Sequence, residues 1–157
     1  MPGRARLRAA NNVAGAMKRD YPNAPMVGVG IVCFKGDDVL LIERGKPPRK
    51  GGWSLPGGRQ KLGETVRGCA LRELLEETGV EAAIGPLVDV VDSMTRDGDG
   101  GLQYHYTLVD FRADWISGKP RAGGDAADAR WFAPAELAEL ELWEETVRVI
   151  ELARGMA

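Results

Sequence analysis

The segment from residue 64 to residue 80 constrains this chain more than any other, because it places four glutamates on or just before one helix. Thr65 can cap the start of that helix, no proline interrupts residues 66–78, and Gly79 supplies a left-handed stop. The sequence therefore predicts a helix from Val66 to Thr78, which fixes where its charged residues lie.

The two sides of the predicted helix differ in charge. At about 100° per residue, Glu73, Glu76 and Glu77 share one side. The small residues Cys69 and Ala70 lie among these carboxylates and leave room for a bound group, and a cation there would relieve the repulsion between Glu73 and Glu77. The opposite side carries leucines that we expect in the core: Leu71, Leu74 and Leu75. The alternative interpretation is a solvated acidic face.

A solvated face leaves Arg72, Glu64 and the preceding Gly57-Gly58 turn unexplained. Residues 58–80 together match the pattern G-x5-E-x7-R-E-U-x-E-E-x-G-U, where U is a bulky aliphatic residue. This pattern resembles the sequence box of Nudix hydrolases, and a looser resemblance extends over residues 25–153. The resemblance implies an α/β fold, the Nudix α/β/α sandwich with a mixed β-sheet.

The resemblance also implies roles for the residues of the box. Glu73, Glu76 and Glu77 match acids that hold a divalent metal ion or handle the attacking water. Three further residues match supporting positions: Arg72 an arginine that orients one of the acids, Gly57 a glycine whose carbonyl binds the metal, and Glu64 a supporting or outer ligand. Hard oxygen ligands favour Mg²⁺, with Mn²⁺ as the other candidate cofactor.

An acidic residue on a loop, about six positions before a tryptophan-bearing strand, is a further part of the resemblance. Asp125 matches that position by its spacing from Trp131. It would join the metal ligands or act as a base, so that Glu73, Arg72 and Asp125 form the predicted catalytic group. Asp128 is the alternative, although it could instead bind Arg130 or cap local backbone.

Four residues are predicted to contact substrate: Arg44, Arg59, Tyr104 and Tyr106. Arg44 resembles an arginine used against phosphate or base, and an exposed surface arginine is the alternative. Tyr104 and Tyr106 point to one side of a predicted strand and His105 to the other. The tyrosines could stack on a base or form a core aromatic pair, and His105 is predicted to be an ordinary strand residue.

Apolar runs and turn residues predict the remaining elements. We expect strands at residues 26–34, 39–44, 53–55, 82–91 and 102–112, with a hairpin turn at residues 96–101. Loops are expected at residues 45–52 and 115–124, and helices at residues 134–140 and 142–153. Gly28 and Gly30, inside the first strand, indicate a close approach of another group to the backbone.

Composition limits the class of protein. With 157 residues, 44% hydrophobic and 28% charged, the chain is expected to form one soluble domain. Its apolar runs are far shorter than the roughly 18 residues of a membrane span, so no membrane partner is expected. Cys33 and Cys69 show no repeat pattern, which predicts free thiols in a reducing, cytoplasmic compartment. A single histidine, His105, argues against zinc.

The N-terminus differs in charge from the rest of the chain. Its first twenty residues contain five basic residues and one acid, whereas the whole chain has a formal net charge of −2. We expect residues 1–24 to be a flexible basic extension and residues 25–157 to form the Nudix domain, with a transit peptide as the alternative for the extension. The acidic main body argues against nucleic acid as a partner. A homodimer is a further possible partner state.

The resemblance implies metal-assisted attack of water on the diphosphate of a small nucleotide, a nucleoside diphosphate linked to another group. Tyr104-His105-Tyr106 and residues 124–128 resemble short bacterial members of the ADP-ribose pyrophosphatase type, which favours ADP-ribose or a related sugar nucleotide. The proline that marks one ADP-ribose subgroup is missing, and Thr95-Arg96 stands there. A sanitiser of damaged nucleoside triphosphates is therefore the alternative. A ligand-sensing module is disfavoured, because sensors commonly lose box acids and this chain keeps all four glutamates.

Overall fold

The computed structural model describes residues 18–156. Most of the predicted N-terminal extension, residues 1–17, lies outside the described residues. The described chain begins against the sheet: the Tyr21 backbone N–H donates to the Gln103 carbonyl at 2.8 Å, and the Tyr21 hydroxyl donates to Asp97 at 2.5 Å.

Seven strands and three helices follow in the described part of the chain. The strands are β1 (Met26–Lys35), β2 (Asp38–Arg44), β3 (Trp53–Ser54), β4 (Gly57–Arg59), β5 (Glu81–Arg96), β6 (Leu102–Ser117) and β7 (Ala126–Phe132). The helices are α1 (Val66–Thr78), α2 (Pro134–Leu137) and α3 (Glu144–Arg154).

The strands form one mixed sheet whose centre is β1. Strand β1 pairs in parallel with β6 along most of its length, whereas β5 and β6 form a long antiparallel hairpin. The other edge of β1 pairs with β4 over Gly28 to Gly30 and with β2 near Phe34. This change of neighbour leaves an opening beside β1, and the candidate site lies there.

Helices cover both faces of the sheet. Alternate side chains of β1, such as Ile31 and Cys33, pack with Ala70 and Leu74 of α1. The intervening side chains, such as Val32, pack with residues of α3. Side chains that alternate along a strand point to opposite faces, so a strand buried on both faces becomes apolar throughout. The predicted α/β/α sandwich with a mixed sheet is confirmed.

Helix α1 begins and ends where its capping residues predict. The Thr65 hydroxyl accepts a hydrogen bond from the Gly68 N–H at 3.0 Å, and Gly79 adopts a left-handed φ of 69°. The predicted faces need correction, because Leu71 and Leu75 are 44% and 50% exposed. The side of α1 that meets the sheet consists of Cys69, Ala70 and Leu74. Because Cys69 and Ala70 are small, they allow close packing, and they lie in the core rather than beside an open acidic face.

Several predicted boundaries change because strand pairing is non-local. Strands β5 and β6 are longer than predicted, so residues 92–96 and 115–117 belong to strands rather than loops. Gly57 and Gly58, predicted as a turn, belong to β4 and pair with β1. The final helices are shorter than the predicted ranges. Within residues 18–156, no helix is both long enough and apolar enough to cross a membrane.

Candidate active site

Arg72 links three of the four predicted box glutamates. Its guanidinium bonds both oxygens of Glu64, at 2.6 and 2.9 Å, in a bidentate pair. The same group donates to Glu73 at 2.8 Å and to Glu76 at 3.1 Å. Hydrogen bonding from Arg72 lowers the pKa of Glu64 to about 2 and, in return, the pKa of Arg72 is raised. Arg72 therefore positions the carboxylates and keeps Glu64 ionised.

Two further contacts fix Glu73 and Glu77 against β4. Glu77 is only 5% exposed, and its carboxylate accepts a hydrogen bond from the Gly57 N–H at 2.7 Å. The Glu73 carboxylate lies where a side chain at Gly58 would stand, so glycine is needed there to make room. Burial raises the pKa of Glu77 to about 7, and burial also raises the pKa of Glu73. A nearby cation would stabilise both ionised groups.

The donor set has the chemistry of a divalent-metal site but is not assembled as one. Glu73, Glu76 and Glu77 offer hard oxygens of the kind that Mg²⁺ and Mn²⁺ prefer. Within residues 18–156, however, no three acidic, cysteine or histidine side chains converge closely enough to form a ready-made metal site. The Arg72 guanidinium donates hydrogen bonds to Glu73 and Glu76, and the Gly57 N–H donates one to Glu77. The residues fit the cofactor, because a carboxylate that accepts one hydrogen bond keeps further lone pairs for a metal ion.

The loop after β6 brings Asp125 toward the end of α1. The Gly123 N–H donates to the Glu77 carbonyl at 3.1 Å, and the Arg121 N–H donates to the Thr78 carbonyl at 2.9 Å. The Asp125 carboxylate pairs with Lys46 at 2.8 Å, and this hydrogen bond lowers the pKa of Asp125. Lys46, which sequence reasoning did not select, thus joins the loop at residues 45–52 to the loop that carries Asp125.

Asp128 has a different environment from Asp125. Its carboxylate accepts hydrogen bonds from Arg130 Nε and from the Ala129 N–H, both at 2.8 Å. Asp128 lies on β7 and pairs in register with Glu43 of β2, and it does not line the cleft described next. The expectation that Asp128 binds Arg130 and local backbone is met.

The glutamates open into a cleft of about 820 Å³ beside β1. Its lining includes all four predicted substrate residues, Arg44, Arg59, Tyr104 and Tyr106, and also Asp125. Glu64 is bonded to Arg72 but does not line the cleft itself. Arg44 is fixed by a 2.6 Å bond from its Nε to the Pro48 carbonyl, and burial lowers its pKa. The structure therefore gathers the predicted substrate residues and the acids of α1 around one space.

Asp110 is a lining residue that sequence reasoning missed. It lies within the apolar part of β6, beside Phe111, and is 4% exposed. The sequence offered only indirect evidence for Asp110 as a site residue. Asp110 is an acid within an apolar strand, and the glycines of β1 leave space for it.

Comparison with known proteins bears on the box and on the fold. A family model described as "NUDIX domain" matches residues 24–153. The chain belongs to the NUDIX family. It is 37% identical to the ADP-ribose pyrophosphatase of Methanocaldococcus jannaschii over 123 residues, which is 78% of this chain and 70% of the relative. It is also 37% identical to the putative 8-oxo-dGTP diphosphatase 2 of Mycobacterium tuberculosis over 125 residues, covering 78% of this chain and 84% of the relative.

Solved Nudix structures share the fold. A MutT Nudix hydrolase from Burkholderia pseudomallei superposes with a TM-score of 0.69 at 31% identity, covering 82% of this chain and 98% of that chain. The Nudix domain of Shewanella oneidensis NrtR, solved with ADP ribose, gives a TM-score of 0.70 at 27% identity. The match covers 83% of this chain and 87% of that domain's chain. This chain is a Nudix hydrolase, and members of the family generally use divalent metal ions.

Proposed function

We propose that this Nudix hydrolase cleaves the pyrophosphate bond of a nucleoside diphosphate linked to another group, with ADP-ribose or a related sugar nucleotide as its preferred substrate. The observation that carries the proposal is that the Arg72-linked acids of α1 line the same cleft as Tyr104, Tyr106 and Arg44. At about 820 Å³, the cleft is in the range of small-molecule sites, which run from roughly 300 to 1,000 Å³.

The proposed cofactor is Mg²⁺, which Mn²⁺ could replace. Glu73, Glu76, Glu77 and the Gly57 carbonyl would hold it, with Glu64 supporting them through Arg72. A bound divalent ion would neutralise charge on the diphosphate and favour ionisation of water. Within this arrangement Arg72 positions Glu73, and Asp125, which is ionised beside Lys46, is the proposed further metal ligand or base.

The substrate proposal combines the cleft with the relatives. Tyr104 and Tyr106 offer aromatic faces and hydroxyl groups, while Arg44 and neighbouring basic residues suit phosphate. One similar protein is named an ADP-ribose pyrophosphatase, and a similar Nudix domain was solved with ADP ribose. The alternative is a triphosphate sanitiser, because a relative of equal identity is named a putative 8-oxo-dGTP diphosphatase.

A purely sensory role is the remaining candidate. The chain is 33% identical over 109 residues to an ADP-ribose-responsive repressor, and it matches 43% of that protein's length. Yet all four box glutamates and Arg72 are present and connected, which favours catalysis over sensing.

The proposal is tested by measuring kcat/KM for a panel of substrates at one Mg²⁺ concentration. The panel contains ADP-ribose, other nucleoside diphosphate sugars, dinucleoside polyphosphates, and plain and 8-oxo nucleoside triphosphates. We expect the highest value for ADP-ribose or another sugar nucleotide. A tenfold or larger preference for any triphosphate would favour the sanitiser, and no turnover of any member would favour the sensor.

A further inference from the structure

One carboxylate in the cleft has no part in the proposed hydrolysis. Asp110 is 4% exposed and lines the cleft. Within residues 18–156, its carboxylate receives no hydrogen bond. The charged groups that act on it from a distance are Asp89 and Arg148, and those two are paired with each other at 2.8 Å. A carboxylate with so little exposure and no protein donor is costly to keep ionised, and where it meets the cleft it can accept a hydrogen bond from a ligand.

The sheet is built to leave space for this carboxylate. Gly30 lies directly opposite Asp110 in the parallel register of β1 and β6. A side chain at Gly30 would overlap the Asp110 carboxylate, and one at Gly28 would stand 2.9 Å from Leu108 and 3.4 Å from Tyr106. The two glycines therefore make room for side chains of β6: the Asp110 carboxylate lies over Gly30, and Leu108 and Tyr106 lie over Gly28. These three side chains bring an acceptor, an apolar group and an aromatic ring together on one wall of the cleft.

The position of Asp110 relative to the acids suits a nucleoside. Gly30 pairs with Asp110 on one side and with Gly57 on the other, so Asp110 and Gly57 lie at the same level, two strands apart. Neighbouring strands are spaced by about 4.8 Å, which puts these two backbones about 10 Å apart. A nucleotide whose first phosphate lies near Gly57 would span this separation with its ribose and bring its base against the Asp110 carboxylate and Tyr106.

We propose that Asp110 accepts a hydrogen bond from the 6-amino group of an adenine base and thereby determines the base specificity of the enzyme. The inference rests on the proposed nucleotide hydrolase function and deepens it. A site with a buried acceptor rejects a ligand that lacks the matching donor, because the acceptor is then left unpaired. Unsubstituted purine is the matched comparison, since it has the shape of adenine, lacks the amino group and adds no polar group.

The test compares kcat/KM within two substrate pairs: ADP-ribose against its purine analogue, and ATP against purine riboside triphosphate. For the unaltered enzyme we expect at least a tenfold preference for the amino member of each pair that it cleaves. Asp110→Leu should reduce this preference below threefold, mainly through a higher KM for the amino member, because leucine offers no acceptor to either base. Asp92→Asn, an exposed Asp on β5 outside the cleft, should retain the full preference.

Three results would overturn the proposal. The first is a preference below threefold in the unaltered enzyme, and the second is a preference of tenfold or more that survives in Asp110→Leu. If the leucine variant does not fold, Asp110→Ala removes the acceptor without adding volume and should weaken the preference at least threefold. The third is an unchanged preference in Asp110→Ala. The ratio within a pair tests Asp110, whereas the ratio between pairs tests the sugar-nucleotide proposal, so the two failures are distinguishable.

Discussion

At the scale of single residues, the charges of Arg72 and Asp110 have opposite environments: Arg72 is paired with carboxylates, whereas the Asp110 carboxylate has no paired donor within residues 18–156. Arg72 is bonded to three carboxylates, and its bonds to Glu64 and Glu73 favour the ionised forms of those two groups. Asp110 has no hydrogen bond within residues 18–156, and burial raises its pKa to about 6. The first arrangement stabilises the site, and the second costs stability in the ligand-free enzyme.

We predict that Asp110→Asn stabilises the free enzyme at neutral pH but not at acidic pH. The carboxyl binds its proton more tightly in the folded chain than in the unfolded chain, where the pKa is near 3.8. Stability is therefore lost as pH rises from about 4 through 6, by on the order of 3 kcal/mol at most, from 1.36 kcal/mol per pKa unit. Asn removes this loss.

The measurement is the free energy of unfolding by urea at pH 4.5 and pH 7.5. The difference between Asp110→Asn and the unaltered protein should be larger at pH 7.5. Asp92→Asn serves as the control and should show no such change, and an equal effect of Asp110→Asn at both pH values would contradict the account.

At the scale of elements, local signals and pairing partners determine different features. The ends of α1 follow from Thr65 and Gly79, which act on the backbone next to them, so the sequence predicts them well. The full lengths of β5 and β6 could not be predicted in that way, because the mostly polar segment 92–96 is ordered by strand pairing with β6. The exposure of Leu71 and Leu75 was missed for the same reason, since the angle at which α1 lies on the sheet sets its buried side.

We predict that Gly58→Ala lowers kcat by roughly 10²-fold or more while the protein still folds. The added methyl group would overlap the Glu73 carboxylate and displace it from Arg72. Displacing a group that acts in the transition state costs rate rather than ground-state binding. Steady-state kinetics with ADP-ribose measure the effect. Gly98→Ala is the control, because among residues 18–156 no atom beyond the adjoining residues lies within 4 Å of the added carbon. Equal activity of the two variants would contradict the placement of Glu73.

The two loops that meet at Lys46 and Asp125 give a second prediction at this scale. Asp125→Asn should lower kcat with little change in KM if Asp125 acts as a base or metal ligand in the transition state. Asp128→Asn should have less effect, because Asp128 is bonded to Arg130 and to local backbone. The comparison uses kcat and KM for ADP-ribose at saturating Mg²⁺. A larger loss in Asp128→Asn would transfer the role to that residue.

At the scale of the whole molecule, the sequence box predicted the family and the fold but not the layout of the cleft. The box is contiguous in the chain, so its pattern can be recognised without knowing any contact. The placement of Asp110 in the cleft depends on Gly28 and Gly30, which lie about eighty residues earlier in the chain and meet Asp110 only through strand pairing. Glycines in the first strand predicted a close approach, and the structure identifies the Asp110 side chain as the group that approaches.

The central claim is that this chain is a divalent-metal-dependent pyrophosphohydrolase whose acids lie on α1. The most direct measurement is ADP-ribose hydrolysis with Mg²⁺, with Mg²⁺ removed by EDTA, and with Mg²⁺ restored in excess, for the unaltered enzyme and for Glu77→Gln. Glu151→Gln, an exposed glutamate on α3, is the control. The account predicts AMP and ribose 5-phosphate in equal amounts, reversible loss of turnover with EDTA, and a loss of roughly 10²-fold or more in Glu77→Gln alone. Turnover that persists in EDTA, or near-normal turnover in Glu77→Gln at saturating Mg²⁺, would contradict it.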